Sequence, residues 1–239
     1  PPTCTTPPPW RNRPMILLAL HREGDRRFRI VELQDDGSRA YIEGDALYTH
    51  VTGAGENLLA YVETMQGALA NAPKVLLLGT AGGALATALS RRGTEVTAVD
   101  DLAWAFVAAR RWFQLPDQVE CVHADALAYL GATTRRWSGI AVDVFRGVEI
   151  PDQFMTPEFG ASLLRALEPG GVIAWNVADG PASWTVARVA RAMRQIGLVP
   201  HLIQTADDEW SNTVVICHLA QQTDPGVGAA RQPSVNGKT

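Results

Sequence analysis

The sequence predicts an α/β domain on a mostly parallel seven-stranded sheet that closes with an antiparallel hairpin, preceded by a small antiparallel β unit. Three observations point there. From about residue 56, short apolar runs alternate with stretches of helical period, the pattern of a parallel sheet covered on both faces. A glycine cluster, Gly79-Thr80-Ala81-Gly82-Gly83, joins the first of those runs to a helix. Residues 15–52 show only short strands with turn signals.

The elements follow in order. "MILLAL" (15–20), "RFRIVEL" (27–33), "RAYIEG" (39–44) and "ALYTHV" (46–51) are strands, with "DDG" (35–37) as a turn. "ENLLAYVETMQGALA" (56–70) has apolar residues at helical spacing. "KVLLLG" (74–79) is a buried strand, "GALATALSRRG" (83–93) a helix stopping on Gly93, and "EVTAVD" (95–100) the second strand. "LAWAFVAARRWF" (102–113) is a helix whose aromatics, Trp104 included, fall mostly on a core face. "QVECVH" (118–123) and "SGIAVDVF" (138–145) are the third and fourth strands. "TPEFGASLLRALEPGG" (156–171) opens on a Thr N-cap with Pro157 at the first helical position, and stops at Pro-Gly-Gly. "GVIAWNVA" (171–178) is the fifth strand, followed by the helix "SWTVARVARAMRQIG" (183–197). "VPHLIQT" (199–205) and "NTVVICHLA" (212–220) form the closing hairpin, with "ADDEW" (206–210) as a solvated turn.

Composition bounds the function. The chain has 239 residues, 46% hydrophobic and 19% charged, enough for one sizeable core. Its net charge of −4 and scattered arginines argue against nucleic acid, which requires clustered cations. Three distant cysteines form no disulfide framework and fit a reducing cytoplasm. The five histidines make no ligand pair, so no metal is expected. No apolar run approaches the roughly 18 residues of a membrane span. The Pro-rich segment 1–14 and the polar, Gly- and Pro-rich segment 221–239 bury too little to order themselves. The expected organisation is therefore a β unit at 15–55 and an α/β domain at 56–220.

The glycine cluster matches neither G-x-G-x-x-G nor a Walker A loop. It is a tight strand-to-helix turn where backbone can approach a ligand, with Gly79, Thr80, Ala81, Gly82 and Gly83 as candidates. Asp100 ends the next strand, where a carboxylate can accept from two ribose hydroxyls, and Asp101 follows it. Asp125, with Ala126 after it, follows the third strand, where an acid can take the exocyclic amine of adenine. Three such groups after successive strands make a nucleoside site at the carboxyl edge of the sheet; the alternative is that Asp100 and Asp125 only cap helices.

Residues 41–219 resemble the Rossmann-like class I methyltransferase fold, and more narrowly the spermidine synthase (polyamine aminopropyltransferase) family. The stretch "VDVFRGVEIPDQFMTPEFGASLLRALEPGGVIAWNV" (142–177) is similar to the family's sequence after strand four: an Asp at the strand end, an Ile-Pro loop, Thr-x-Glu-Phe opening a helix, then Leu-x-Pro-Gly-Gly. The "YVE" at 61–63 and "YIEGDAL" at 41–47, which is similar to Leu-Asp-Gly-x-x-Gln, add to it. Three places depart from the family, one of them "DDLA" (100–103), which stands where the family has Asp-x-Asp-Pro or Glu-x-Asp after strand two. Arg146 stands where spermidine synthases carry the second Asp of Asp-x-x-Asp, and the Gln is missing from the 42–47 segment.

The resemblance implies an S-adenosylmethionine or decarboxylated S-adenosylmethionine co-substrate, a small-molecule amine substrate and a homodimer through the β unit. Asp143, at the end of strand four, would hold the acceptor ammonium and help remove its proton, with Tyr61 assisting through its phenol. Glu63 and Glu149 would add negative charge for a substrate, and Arg146 would lie beside it. Aminopropyl transfer from the decarboxylated co-substrate is the first reading. A methyltransferase of unknown acceptor is the second, and a non-catalytic nucleoside-binding homologue the third.

Overall fold

The computed structural model describes residues 12–206 and 211–220. The expected unstructured segments at 1–11 and 221–239, and the turn at Asp207–Trp210, lie outside the described residues. Of the amino-terminal extension, Arg13 and Pro14 are tied to the first sheet. Gln34 N donates to Pro14 O at 3.0 Å, and Arg13 Nε donates to Asp35 at 2.7 Å.

Four antiparallel strands open the chain: β1 (Met15–Glu23), β2 (Arg26–Leu33), β3 (Arg39–Glu43) and β4 (Ala46–Val51), paired in that order. Then come α1 (Ala60–Ala68), β5 (Lys74–Leu78), α2 (Ala84–Arg91), β6 (Glu95–Asp100), α3 (Ala103–Trp112), β7 (Glu120–His123) and α4 (Ala126–Ala132). They are followed by β8 (Trp137–Val142), a 3₁₀ turn (Asp152–Phe154), α5 (Pro157–Ala166), β9 (Leu167–Val177), α6 (Trp184–Gln195), β10 (His201–Ala206) and β11 (Ser211–His218).

The second sheet has the order β10-β11-β9-β8-β5-β6-β7. Strands β5 to β9 are parallel, and β11 inserts antiparallel between β9 and β10. The strand order reverses between β5 and β8, so the ends of those two strands open a crevice at the switch point. The carboxyl half of β5 is apolar and buried on both faces, through Val75, Leu76, Leu77 and Leu78.

Local chemistry sets the helix ends. Thr156 caps α5 by accepting from Phe159 N at 3.2 Å, and Ser183 caps α6 by accepting from Val186 N at 3.2 Å. α5 ends at Ala166 rather than at Pro-Gly-Gly, because Leu167 already pairs with Trp137 and continues as β9. α1 begins at Ala60 rather than 56, because Asn57 forms a local turn that brackets both backbone groups of Leu59. Trp104 packs with His21 (ring centroids 4.6 Å apart), Phe28 and Tyr41, joining the β unit to α3. Among the described residues, no helix is long and apolar enough to cross a membrane.

Candidate active site

One cavity lies over the carboxyl ends of β5, β6 and β8, roofed by the β unit and the loop after β8. Gly79, Thr80, Ala81, Asp100, Asp101 and Asp125 line one side of it, together with Ala126. Tyr61, Asp143 and Arg146 line the other.

The glycine turn is fixed by its own backbone bonds. Gly79 N donates to Val99 O at 2.9 Å, and Gly83 N to Thr80 O at 2.7 Å. Thr80 N and Ala81 N both donate to Asp100 Oδ2, at 2.8 and 3.2 Å. Gly82 N donates to Thr49 Oγ1 at 3.0 Å. All five N–H groups of the turn are therefore committed within the protein. The Thr80 hydroxyl, by contrast, is buried, lines the cavity and has no partner among the described residues.

Gly82 and Gly83 do not line the cavity. A Cβ on Gly82 would stand 2.8 Å from Thr49 Cγ2, so this glycine lets the β unit dock on the turn. Gly83, at φ 73°, faces Leu115. Gly79 serves the site through shape: at φ 86°, a Cβ there would sit 2.1 Å from the carbonyl oxygen of Asp143. Gly79→Ala is thus expected to push the 143–144 peptide away and unfold the chain at a temperature lower by 5 °C or more. A melting curve within 1 °C of wild type would contradict this close approach.

Asp100 holds backbone on both sides of the cavity edge. Besides the glycine turn, its Oδ1 accepts from Leu102 N at 2.9 Å. Enclosure raises its pKa, and the three backbone N–H bonds offset part of that rise. Asp101 is more open and pairs with Arg26 at 3.3 Å and with Arg146 at 3.9 Å. Asp125 is the N-cap of α4, its Oδ1 accepting from Ala128 N at 2.9 Å, and it also lines the cavity.

Asp143 sits where β8 ends. Asn176 of β9 donates to its Oδ1 at 2.8 Å, and the Tyr61 hydroxyl donates to its Oδ2 at 3.4 Å. Burial pushes its pKa up to about 6, although the bonds from Asn176 and Tyr61 favour the charged form. Asn176 is itself held by Asn212 of β11, whose amide donates to Asn176 Oδ1 at 2.9 Å. With its oxygen occupied, Asn176 can present only N–H to the carboxylate. The sequence reading did not single out either asparagine. The available signal was an amide inside two mostly apolar strands, "VIAWNV" and "NTVVIC".

Glu63 and Glu149 are not brought to the cavity. Tyr61 turns inward from the first turn of α1, so Glu63, two positions on, faces solvent. Glu149 is exposed, and its backbone pairs with that of Arg146 (Arg146 N to Glu149 O, 2.9 Å), closing the loop at Gly147. The β unit supplies Phe28, Tyr41 and Tyr48 to the cavity instead. Among the described residues, no group of three or more His, Cys, Asp or Glu is placed to hold a metal.

No family model matches the chain. The chain is 33% identical over 127 residues to a polyamine aminopropyltransferase of Chromobacterium violaceum, spanning 50% of this chain and 49% of that one. It is 26% identical over 175 residues to a probable polyamine aminopropyl transferase of Bifidobacterium longum, 69% of this chain and 39% of that one. A probable spermidine synthase from Corynebacterium glutamicum superposes with a TM-score of 0.70 at 18% identity, over 84% of this chain and 79% of that chain. The chain has the fold of the spermidine synthases. The spermidine synthase of Thermotoga maritima gives 0.65 at 16% identity, over 85% of this chain and 74% of that chain. A spermidine synthase solved with the transition state analogue AdoDATO gives 0.64 at 16%, over 86% and 73%. The chain spans about half or less of the length of the curated relatives it matches.

Proposed function

We propose that this spermidine synthase-like chain is a transferase that moves an aminopropyl group from decarboxylated S-adenosylmethionine to an amine. The observation that carries this is Asp143: a carboxylate with its pKa near 6, fixed from two sides, in the same cavity as the glycine turn. An acceptor amine enters as an ammonium with pKa about 10.4. Its nitrogen must lose a proton before its lone pair can form the new N–C bond while the C–S bond breaks and methylthioadenosine leaves. Raising the base from the ordinary 3.8 to about 6 lowers the uphill cost of that proton transfer by about 3 kcal/mol at 1.36 kcal/mol per unit.

The cavity's donor set fits the decarboxylated co-substrate. That molecule keeps an ammonium and lacks a carboxylate, so it calls for acceptors near the turn. The five turn N–H groups are already donated, while the Thr80 hydroxyl is open. Asp101 and Asp125 would take the ribose and adenine ends, with Asp100 holding the turn beneath them. One observation favours the methyltransferase reading: the Arg146 guanidinium lines the cavity, where it could meet a carboxylate. The same proposal includes a cytoplasmic homodimer. The apolar edge strand β1, with Leu17 56% and Leu20 68% exposed, supports pairing through the β unit.

The test is methylthioadenosine release from the decarboxylated co-substrate in the presence of small amines. Release that requires both is expected; methyl transfer from S-adenosylmethionine with no methylthioadenosine would overturn the proposal. The rate should rise with pH through about 6 as Asp143 ionises. Asn176→Leu removes a bond that favours the charged carboxylate, so the acid limb of kcat/KM should move to higher pH. An unmoved limb would show that Asp143 is not the group being read.

A further inference from the structure

A diamine acceptor is a dication and needs an anion at each end. The acceptor wall of this cavity is charged differently. Among the cavity residues from the β unit and the loop after β8, Asp143 is the one carboxylate, against two guanidinium groups, Arg26 and Arg146. The carboxylate of Glu43, in the segment similar to the family's Leu-Asp-Gly, is spent inside the protein. It accepts from Arg26 Nε at 2.7 Å, from Arg26 again at 3.1 Å, from the Tyr48 hydroxyl and from Gly147 N at 3.4 Å. Those bonds hold its pKa below the usual range against its burial.

Arg26 is consumed in turn by Glu43 and Asp101. Arg146 is not. Its one ion pair among the described residues is to Asp101 at 3.9 Å, beyond hydrogen-bond range, and its side chain is 70% exposed. Arg146 is three residues beyond Asp143, so their Cα atoms are at most about 11 Å apart. The wall therefore presents the Asp143 carboxylate and a guanidinium held only by the long pair to Asp101 to the same cavity.

We infer that the acceptor is a short amino-carboxylate, its amine at Asp143 and its anionic end at Arg146, rather than a diamine. This rests on the reading of the cavity as an aminopropyl transfer site. Planar guanidinium and carboxylate match in a two-bond fork, whereas a second ammonium beside Arg146 is repelled. The roles of acid and cation on this wall are thereby set by residue 146.

The test is calorimetric binding to protein saturated with methylthioadenosine, using 4-aminobutyrate, putrescine and butylamine as probes matched in length. The wild type is expected to bind 4-aminobutyrate at least about tenfold more tightly than either other probe. Arg146→Asp should cost 4-aminobutyrate at least that factor and put putrescine first; Arg146→Ala should abolish the preference without reversing it. Residue 146 is mostly solvent-exposed, so both variants are expected to fold. Putrescine binding as tightly as 4-aminobutyrate to the wild type would overturn the inference, as would no binding of 4-aminobutyrate. So would an Arg146→Ala variant that loses S-adenosylmethionine and keeps 4-aminobutyrate, since the cation would then serve the co-substrate. Turnover is read separately: tight 4-aminobutyrate binding without methylthioadenosine release upholds the recognition and sinks the transfer.

Discussion

Asp143→Asn is expected to lower the rate of methylthioadenosine release by about 10² to 10⁴ while leaving the fold at least as stable as wild type at pH 7. The two effects have one cause. The asparagine oxygen can still accept from Asn176 and its amide can still meet Tyr61, so the packing is kept. What disappears is a charge that burial disfavours. With a folded pKa of about 6 against an ordinary 3.8, the ionised carboxylate costs the fold at most about 3 kcal/mol at neutral pH. The sign follows from linkage: a raised carboxyl pKa contributes stability present below pH 4 and lost as pH rises towards 6. Wild type should lose stability across that window relative to Asp143→Asn, read by thermal melts at pH 4 and pH 7. A variant as active as wild type would show that Asp143 is not the base, and a wild type with no release at all would favour the non-catalytic homologue; a variant that melts lower at pH 7 would contradict the burial argument.

Asp100→Ala is expected to be the most damaging single change, for the opposite reason. Its two oxygens accept three backbone N–H groups, from Thr80, Ala81 and Leu102. Alanine leaves all three without an acceptor, at about 1–3 kcal/mol each where they stay dry. A loss of about 3 kcal/mol or more is expected in urea unfolding, with nucleoside affinity falling alongside it because the turn is no longer held. Asp100→Asn should recover part of the loss, since its one oxygen can keep Thr80 N and Ala81 N while its NH₂ would face the Leu102 N–H. A stability change under 1 kcal/mol in Asp100→Ala would show that the turn holds its shape without the carboxylate.

Local pattern made much of this fold legible. Short, mostly apolar stretches marked the central strands, and Thr156 and Ser183 announced their helices. The strand-end rule put Asp100, Asp125 and Asp143 beside one cavity. What the sequence could not convey depends on contacts between distant segments. Gly82 and Gly83 read as ligand glycines, but Thr49 and Leu115 arrive from elsewhere in the chain and take up their space. Asp100 reads as a ribose acid, yet it curls back onto the turn that precedes it by twenty positions. Glu63 and Glu149 carry charge suited to an amine, but a helix face and a backbone bridge turn them away. The aromatic wall from Phe28, Tyr41 and Tyr48 exists only because the β unit docks over the switch point.

The most direct measurement is a thermal-shift comparison of S-adenosylmethionine, its decarboxylated form, S-adenosylhomocysteine and methylthioadenosine. A ligand at one hundred times its Kd adds about 2.7 kcal/mol to the fold, a shift of several degrees. Aminopropyl transfer predicts stabilisation by the decarboxylated co-substrate and methylthioadenosine, and none by the two carboxylate-bearing ligands. Stabilisation by S-adenosylmethionine and S-adenosylhomocysteine instead would contradict it, and would assign Arg146 to the co-substrate's carboxylate.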